Sequence, residues 1–429
     1  MHNFGEKRLK MVFLRKSYNI VTVMCLSALS IYNSYAQKSQ ILSESIKTLQ
    51  VQKNGEWMEL PVLRLGSDDF ISISFDEMSH QYHRFVYNIR HCMADWSESE
   101  LLESEYMDGF NGQPVNDYKT SVNTTFQYTH YTLNLPNDDV NFLVSGNYEV
   151  TITDEDDGTE MVRARFAIIE DGAFVSASVS GNTDIDTNEH NQQLSINVNF
   201  SKLPVSDPER EIIVMATQNR RSDLMKTGMR PTHITPSQMQ FNHCRELIFP
   251  GGNEYRRFEI VNMYDYTQNV DRIDFFDPYF HAILFPDERR REYRYDQDHN
   301  GRYLIRYSQA ADSDTEADYL LVHFTLKIPK IRDGKVFIDG DFTNDVFCDK
   351  WEMEYNDRTN CYEKTAVLKM GSYDYRYVVL PEGGRTGITS PTEGDSYETV
   401  NEYQVYVWFR QRGSRYDRLT GLSDLRMAR

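Results

Sequence analysis

Alternation of apolar and polar residues constrains this chain more than any other feature of the sequence. Aromatic and β-branched residues return at every second position in many short segments. These segments include 71–75, 85–89, 131–135, 148–152, 194–200, 319–324, 373–379 and 403–409. Successive side chains of a strand point to opposite faces, so this period predicts half-buried antiparallel strands. No stretch of twelve residues has a helical period. The sequence therefore predicts an all-β fold of tandem antiparallel β-sandwiches of the immunoglobulin-like kind.

Turn-rich segments divide the chain into three ranges. We expect an N-terminal β-sandwich over 37–170, a middle β domain over 171–327 and a C-terminal β-sandwich over 328–412. Pro329 and Asp333-Gly334 introduce the last of these. Residues 413–429 are polar, and we expect them to form a loosely held tail.

The first 36 residues have the layout of a secretory signal peptide. Lys7, Arg8, Lys10, Arg15 and Lys16 precede a short apolar stretch over 20–32, and Ser34-Tyr35-Ala36 fits a cleavage site. We expect cleavage before Gln37. The apolar stretch is short for a membrane anchor, and no later segment is long and apolar enough for a transmembrane helix. The mature chain is therefore not expected to span a membrane.

The charge balance makes nucleic acid an unexpected partner. The chain has 65 acidic and 46 basic residues, and its formal net charge is −19. Phosphate backbones and anionic lipid headgroups repel a protein of this charge.

Four cysteines follow the predicted signal peptide: Cys92, Cys244, Cys348 and Cys361. An exported protein can form disulfides, so a Cys348–Cys361 bond remains open. The expected hairpin register places Cys361 opposite Tyr355, which argues against that bond. No pair has the CxxC spacing of a zinc or redox centre.

The sequence predicts no enzyme, no catalytic residue and no cofactor. His91 and Cys92 are neighbours on a predicted strand, so their side chains point to opposite faces and cannot act together as base and nucleophile. The motifs GxSxG, HExxH, GxGxxG and Walker A do not occur.

Two acidic segments invite a metal-site hypothesis, but we predict no metal site. Residues 296–301 begin like a calcium loop, but Tyr307 stands where the bidentate Glu belongs, and Asn300-Gly301 favours a tight turn. Residues 154–158 fit a charged hairpin tip between two predicted strands.

The stretch 289–307 is rich in Arg and Tyr although the chain is acidic. It has two interpretations: a solvated pair of strands balanced by nearby acids, or a partner-facing surface, because Arg and Tyr are enriched at interface anchors. On the second interpretation, the partner-binding residues are Arg289, Arg291, Tyr293, Arg294 and Tyr295.

The third range resembles a glycogen-binding, early-set β-sandwich. The resemblance is carried by residues 336–344 and 371–379, together with Met353 and Tyr355. In glycan-binding members a Trp follows the Asp-Phe segment. Here Asp345 holds that position and Trp351 comes later. The resemblance implies an alternative function, an envelope glycan-binding protein.

Long irregular strings across the chain carry a second resemblance. They include Ile89-Arg90-His91-Cys92-Met93-Ala94-Asp95-Trp96, Phe249-Pro250-Gly251-Gly252-Asn253-Glu254-Tyr255-Arg256 and Arg415-Tyr416-Asp417-Arg418-Leu419. The chain resembles the plug protein family of the type 9 secretion system of Bacteroidota. This implies a non-enzymatic periplasmic protein at the inner face of the outer membrane. Its expected partner is the large translocon β-barrel, whose periplasmic mouth it would seal.

Overall fold

A computed structural model describes residues 38–265, 267–344 and 347–427 of the chain. The predicted signal peptide lies outside the described residues. Every alternating segment forms a strand, which confirms the all-β prediction. Helices in the described part are single turns: α1 (Glu103–Tyr106), α2 (Pro208–Glu211) and α3 (Ser313–Glu316).

The first sandwich is built from residues 40–169. Its strands are β1 (Gln40–Ile41), β2 (Ile46–Lys53), β3 (Val62–Arg64), β4 (Ile71–Glu77), β5 (Phe85–Cys92), β6 (Met107–Gly109), β7 (Gln113–Pro114), β8 (Asp117–Thr120), β9 (Thr129–Leu135), β10 (Val140–Phe142), β11 (Gly146–Asp154) and β12 (Glu160–Ile169). A sheet of order β2-β4-β9-β8 faces β7, β5, β11 and β12. Phe75, Tyr131 and Tyr148 are fully buried between the two layers.

The second sandwich begins with seven strands: β13 (Phe174–Ser180), β14 (Asn191–Asn199), β15 (Ile212–Gln218), β16 (Lys226–Thr227), β17 (His233–Thr235), β18 (Gln238–Phe241) and β19 (Ile248–Pro250). β13, β14, β18 and β17 form one sheet, with β19 paired to β14. The facing sheet needs strands from the far end of the chain.

The third sandwich contains β20 (Arg256–Ile260), β21 (Val270–Phe276), β22 (Tyr279–Leu284), β23 (Asp287–Glu288), β24 (Tyr303–Ile305), β25 (Tyr319–Lys327), β26 (Gly334–Asp339), β27 (Glu354–Asn356), β28 (Cys361–Lys369) and β29 (Gly371–Pro381). Its core joins Phe258 and Leu320 to Val336 and Tyr373. The division predicted between 327 and 328 therefore runs through one continuous hydrophobic core.

The last two strands, β30 (Glu402–Phe409) and β31 (Arg418–Arg426), return to the second sandwich. β30 pairs with β15 along seven residues, and Val405 and Phe409 fill the second core. β31 pairs with β30, and Leu419 is opposite Ile169 of β12. The interpretation of 413–429 as a loose tail is wrong, because the backbone of β31 is hydrogen-bonded to a buried strand. Its charged residues Arg418 and Arg426 pair with Glu170 and Glu402.

The first and third cores meet at a buried carboxylate on β4. Asp76 Oδ2 accepts hydrogen bonds from Lys369 Nζ and Tyr319 Oη, each at 2.6 Å. His130 Nδ1 lies 2.7 Å from Asp76 Oδ1. Burial acts to raise the pKa of Asp76, but Lys369 and His130 outweigh it and hold the pKa below its ordinary value.

Candidate partner-binding surface

The part of the Arg/Tyr stretch that contains the predicted partner-binding residues, 289–295, lies at the surface between β23 and β24. Its backbone is irregular from 289 to 299, so a pair of strands is the wrong description of this part. The structure places the predicted residues Arg289, Arg291, Arg294 and Tyr295 on the exposed side, and Tyr293 is half-buried. Tyr295 is 57% exposed.

A buried loop beneath the segment fixes its path. Tyr293 Oη donates to Glu254 Oε1 at 2.7 Å, and Arg290 Nη1 donates to the Glu254 carbonyl at 2.5 Å. Asn253 Nδ2 donates to the carbonyl of Glu292 at 3.0 Å, and its Oδ1 accepts from the N–H of Arg294 at 3.1 Å. The exposed side chains therefore project from a backbone that is held in place before any partner binds.

Two glycines let this loop pack closely against the backbone around Ser396, much later in the sequence. A Cβ on Gly251 would lie 2.0 Å from the carbonyl oxygen of Ser396. Gly252 has a φ of +62°, which favours glycine. Glycine at these two positions therefore lets the buried loop support the Arg/Tyr segment from below.

The charges below the segment are paired with one another. Arg256 Nη1 lies 2.6 Å from Asp287 Oδ1, and its Nε donates to Glu393 at 3.0 Å. Burial acts to raise the pKa of Glu393, but the guanidiniums of Arg256 and Arg290 outweigh it and lower the pKa. Within the described ranges, by contrast, Arg289, Arg291 and Arg294 form no ion pair. The segment thus presents three arginines that have no described carboxylate within ion-pair distance.

An aromatic hairpin is a second exposed feature that sequence reasoning missed. Phe275 and Phe276 end β21, the edge strand of its sheet, and are 53% and 59% exposed. Phe280 of β22 packs against Phe275 with ring centroids 4.9 Å apart. The adjacent pair Phe275-Phe276 was the available signal, because two neighbouring aromatics break the period of two and one must face outward.

The His91–Cys92 pair lacks the acid–base character of a catalytic thiol. Burial lowers the pKa of His91 to about 4 and raises the pKa of Cys92 to about 12. A nucleophilic cysteine needs a depressed pKa. Cys244, Cys348 and Cys361 are likewise unbridged thiols, and β27 and β28 place Cys361 opposite Asn356 rather than Tyr355.

Residues 296–301 form a turn whose acidic group is unsuited to calcium. Asn300 and Gly301 both have positive φ, at 54° and 90°. Burial, with Asp374 and Glu254 nearby, raises the pKa of Asp298 well above its ordinary value. The carboxyl instead accepts a hydrogen bond from the N–H of Tyr255. No group of three potential metal ligands occurs in the described ranges.

Trp351 is not available as a sugar-stacking platform. It is only 4% exposed and packs edge-on against Phe342 in the third core, with ring centroids 5.3 Å apart. Position 345, where the early-set resemblance expects a Trp, lies outside the described residues.

Nothing among the described helices has the length and apolar character needed to cross a bilayer. The fold and these surfaces define a class: a multi-sandwich β-protein with preformed, exposed Arg/Tyr and aromatic surfaces. The profile described as "Type 9 secretion system plug protein 1st domain" matches residues 46–170, which correspond to the first sandwich. The chain belongs to the type 9 secretion system plug protein family. Its role is accordingly related to type 9 secretion and is of a structural rather than a catalytic kind.

A solved structure is similar over nearly the whole chain. It is a hypothetical protein from Parabacteroides merdae ATCC 43184, 44% identical, with a TM-score of 0.89, covering 91% of this chain and 99% of that one. The C-terminal domain of the AgI/II polypeptide BspA from Streptococcus agalactiae is 8% identical over 91% of this chain and 99% of its own. Its TM-score is 0.14, so it carries no argument. No curated protein matches the sequence.

Proposed function

We propose that this protein is a periplasmic plug that seals the periplasmic mouth of the type 9 outer-membrane translocon barrel. The observation that carries the proposal is the family match of the first sandwich over 46–170. The predicted signal peptide supports delivery to the periplasm. A body of three sandwiches, two of which share one ten-stranded sheet, is also suited to blocking a wide opening.

The contact with the barrel would use the exposed Arg/Tyr segment. Arg289, Arg291 and Arg294 extend from a fixed backbone, and Tyr295 supplies exposed aromatic area. Arginine can pair with carboxylates through two parallel hydrogen bonds, so the complementary patch on the barrel would be acidic. The hairpin tip with Phe275 and Phe276 offers an apolar contact for the same partner.

Recovery of the barrel with the tagged chain tests the function. We expect a very large outer-membrane protein to co-purify from gently solubilised envelopes, and deletion of the gene to raise envelope permeability. Recovery of the chain alone, with unchanged permeability after deletion, would refute the plug. Retention on an α-glucan column together with that result would favour the glycan-binding alternative.

A charge reversal tests the surface separately from the function. The triple variant Arg289→Glu, Arg291→Glu, Arg294→Glu should lose most barrel recovery while keeping its unfolding transition. A matched control reverses three other exposed arginines, Arg358, Arg385 and Arg412, and changes net charge equally. If both triple variants recover the barrel equally, the contact lies elsewhere. If both lose it equally, net charge governs binding.

A further inference from the structure

A cavity of about 230 Å³ lies where the three sandwiches meet. The first sandwich contributes Trp57, Trp96 and Arg165, the second contributes Arg220 and Trp408, and the third contributes Arg302. Three of the four tryptophans of the chain line this one space. A lining drawn from separate cores cannot be found by reading any one segment of the sequence.

The backbone around the cavity is held in unusual conformations. Trp96 has a φ of 66° and Arg220 a φ of 59°, in the left-handed region that large side chains rarely adopt. Asn344, also in the lining, has a φ of 56°. Such conformations persist only where the surrounding structure enforces them, and they cluster at ligand-binding sites.

Several buried hydrogen-bond donors in the lining have no acceptor. Arg165 Nη1, Arg220 Nε, Arg302 Nε and Trp408 Nε1 are buried without an acceptor in the described part of the chain. Guanidinium and indole N–H groups donate and cannot accept. Four basic residues, including Lys38, line the space. Arg165 and Arg302 pair with the buried carboxylates of Glu149 and Glu402. Lys38 lies 3.3 Å from Asp341 Oδ1, and Arg220, 3.9 Å from Asp341 Oδ2, is the least compensated of the four. A ligand with acceptor oxygens and negative charge would complement this wall after small side-chain rotations.

The remaining wall combines aromatic and apolar side chains with the polar side chains of Gln50, Gln52, Asn147 and Thr217. The rings of Tyr406 and Trp408 stack with centroids 5.6 Å apart, the guanidinium of Arg165 lies 4.9 Å from the Trp96 ring centre, and Met215 and Met225 complete the floor. A cavity of about 150 Å³ accepts benzene in another protein, so this larger cavity has room for a benzyl group and a carboxylate. The three tryptophans and Tyr406 favour a ligand that presents an aromatic face to them.

An edge strand lies beside the cavity, and Tyr303 Oη donates to its Leu49 carbonyl at 2.9 Å. β2 pairs with β4 along one edge, and no other described strand pairs with it. Its residues Leu49, Gln50, Val51 and Gln52 line the cavity. An extended peptide can add to such an edge through its main chain while a side chain enters the neighbouring pocket.

We propose that this cavity binds an aromatic carboxylate, the chemistry that a polypeptide presents when its chain ends in an aromatic residue. The aromatic ring lies among the tryptophans, and the arginines hold the terminal carboxylate. The site does not depend on the plug function, because the cavity and its lining belong to this chain alone.

Titration of the full mature chain with small probes tests the proposal, with tryptophan fluorescence and calorimetry as readouts. N-acetyl-phenylalanine should bind roughly tenfold or more tighter than N-acetyl-phenylalanine amide, because the amide lacks the charged acceptor. Acetyl-Gly-Gly-Phe with a free carboxylate should bind tighter still if the β2 edge takes part. D-glucuronate supplies a ring and a carboxylate without the aromatic face and should bind more weakly than either acid.

Two variants keep the test decisive. Arg220→Gln should weaken N-acetyl-phenylalanine roughly tenfold or more, and Trp57→Leu should also weaken it. The control Arg385→Gln, at an exposed position away from the lining, should leave binding unchanged. Saturation by none of the probes, or glucuronate binding as tightly as N-acetyl-phenylalanine, overturns the proposal, as does binding that both lining variants leave intact.

Discussion

The junction around Asp76 and the junction around the cavity are chemically opposite. At the first, both carboxylate oxygens of Asp76 have partners within 2.7 Å, and Lys369 also donates to the Asp314 carbonyl at 2.7 Å. At the second, Arg220 and Trp408 retain buried N–H groups without acceptors. A satisfied buried ion pair can fix one relative orientation of two cores. N–H groups without acceptors can still donate to a ligand, so the two junctions serve different purposes.

Removal of the Lys369 ammonium should have the largest effect on the Asp76 junction. Lys369→Met leaves Asp76 buried without its ammonium partner, with only the hydrogen bonds to His130 and Tyr319. We expect a loss of about 3 kcal/mol in the free energy of unfolding. Urea denaturation measures it. The control Lys327→Met, at an exposed end of β25, should stay within about 0.5 kcal/mol. Equal losses in the two variants would show that the ion pair is not the cause.

Acid titration should weaken the same junction by less, because protonated Asp76 remains neutral and hydrogen-bonded. The folded-state pKa of Asp76 is lowered by Lys369 and His130 against the effect of burial. Its stabilising contribution is therefore complete above the ordinary pKa of 3.8 and is lost as the pH falls through the lower folded value. The difference in unfolding free energy between the native chain and Asp76→Asn should shrink below that pH. A constant difference would contradict the assignment.

Removal of a single hydroxyl should have a smaller effect. Tyr319→Phe deletes the donor to Asp76 Oδ2 and the hydrogen bond between Tyr319 Oη and Thr48 Oγ1 at 2.6 Å, but Lys369 still neutralises the carboxylate. We expect a loss of about 1–2 kcal/mol in the free energy of unfolding, measured by thermal and urea denaturation. A loss as large as that of Lys369→Met would mean that the tyrosine, not the charge pair, holds this junction.

A substitution in the lining of the cavity should have the smallest effect on stability. Burial and the neighbouring Arg302 lower the pKa of Arg220, whose nearest carboxylate, on Asp341, is 3.9 Å away. Arg220→Met removes an undercompensated buried charge, which costs little. It also removes the hydrogen bonds from Arg220 Nη2 to the carbonyls of Met58 and Glu59, at 2.8 and 3.1 Å, so we expect a loss of about 1 kcal/mol in the free energy of unfolding. Urea denaturation beside Lys369→Met gives the contrast directly. Comparable losses would mean that both junctions are structural.

Strand positions could be predicted from the sequence because the period of two is a local property. Each alternating segment, such as 71–75 in β4, coincides with an observed strand, although 194–200 passes the end of β14 by one residue. The grouping of strands could not be predicted. β15 pairs with β30 about 190 residues later, and nothing near either strand specifies that partner. The core shared by Phe258 and Val336 crosses the predicted division for the same reason.

The candidate site was predictable only where it depends on composition. Exposure of Arg289, Arg291 and Arg294 follows from charge, since unpaired arginines are rarely buried. Arg302, in the same stretch, is instead buried against Glu402 at 2.6 Å, a partner one hundred residues away. The cavity is a product of three cores, so neither its tryptophans nor its arginines are marked by their local sequence.

The return of β30 and β31 to the second sandwich sets an order of assembly. A ribosome and an export channel both deliver a chain from its first residue to its last. The first sandwich can close once residue 169 has emerged, but the second has to wait, half-built, for residues 402–426. Its exposed apolar sheet, with Leu194 and Phe241, needs protection until then. Loss of only the last dozen residues would strip a strand from the middle of the molecule, not from its end.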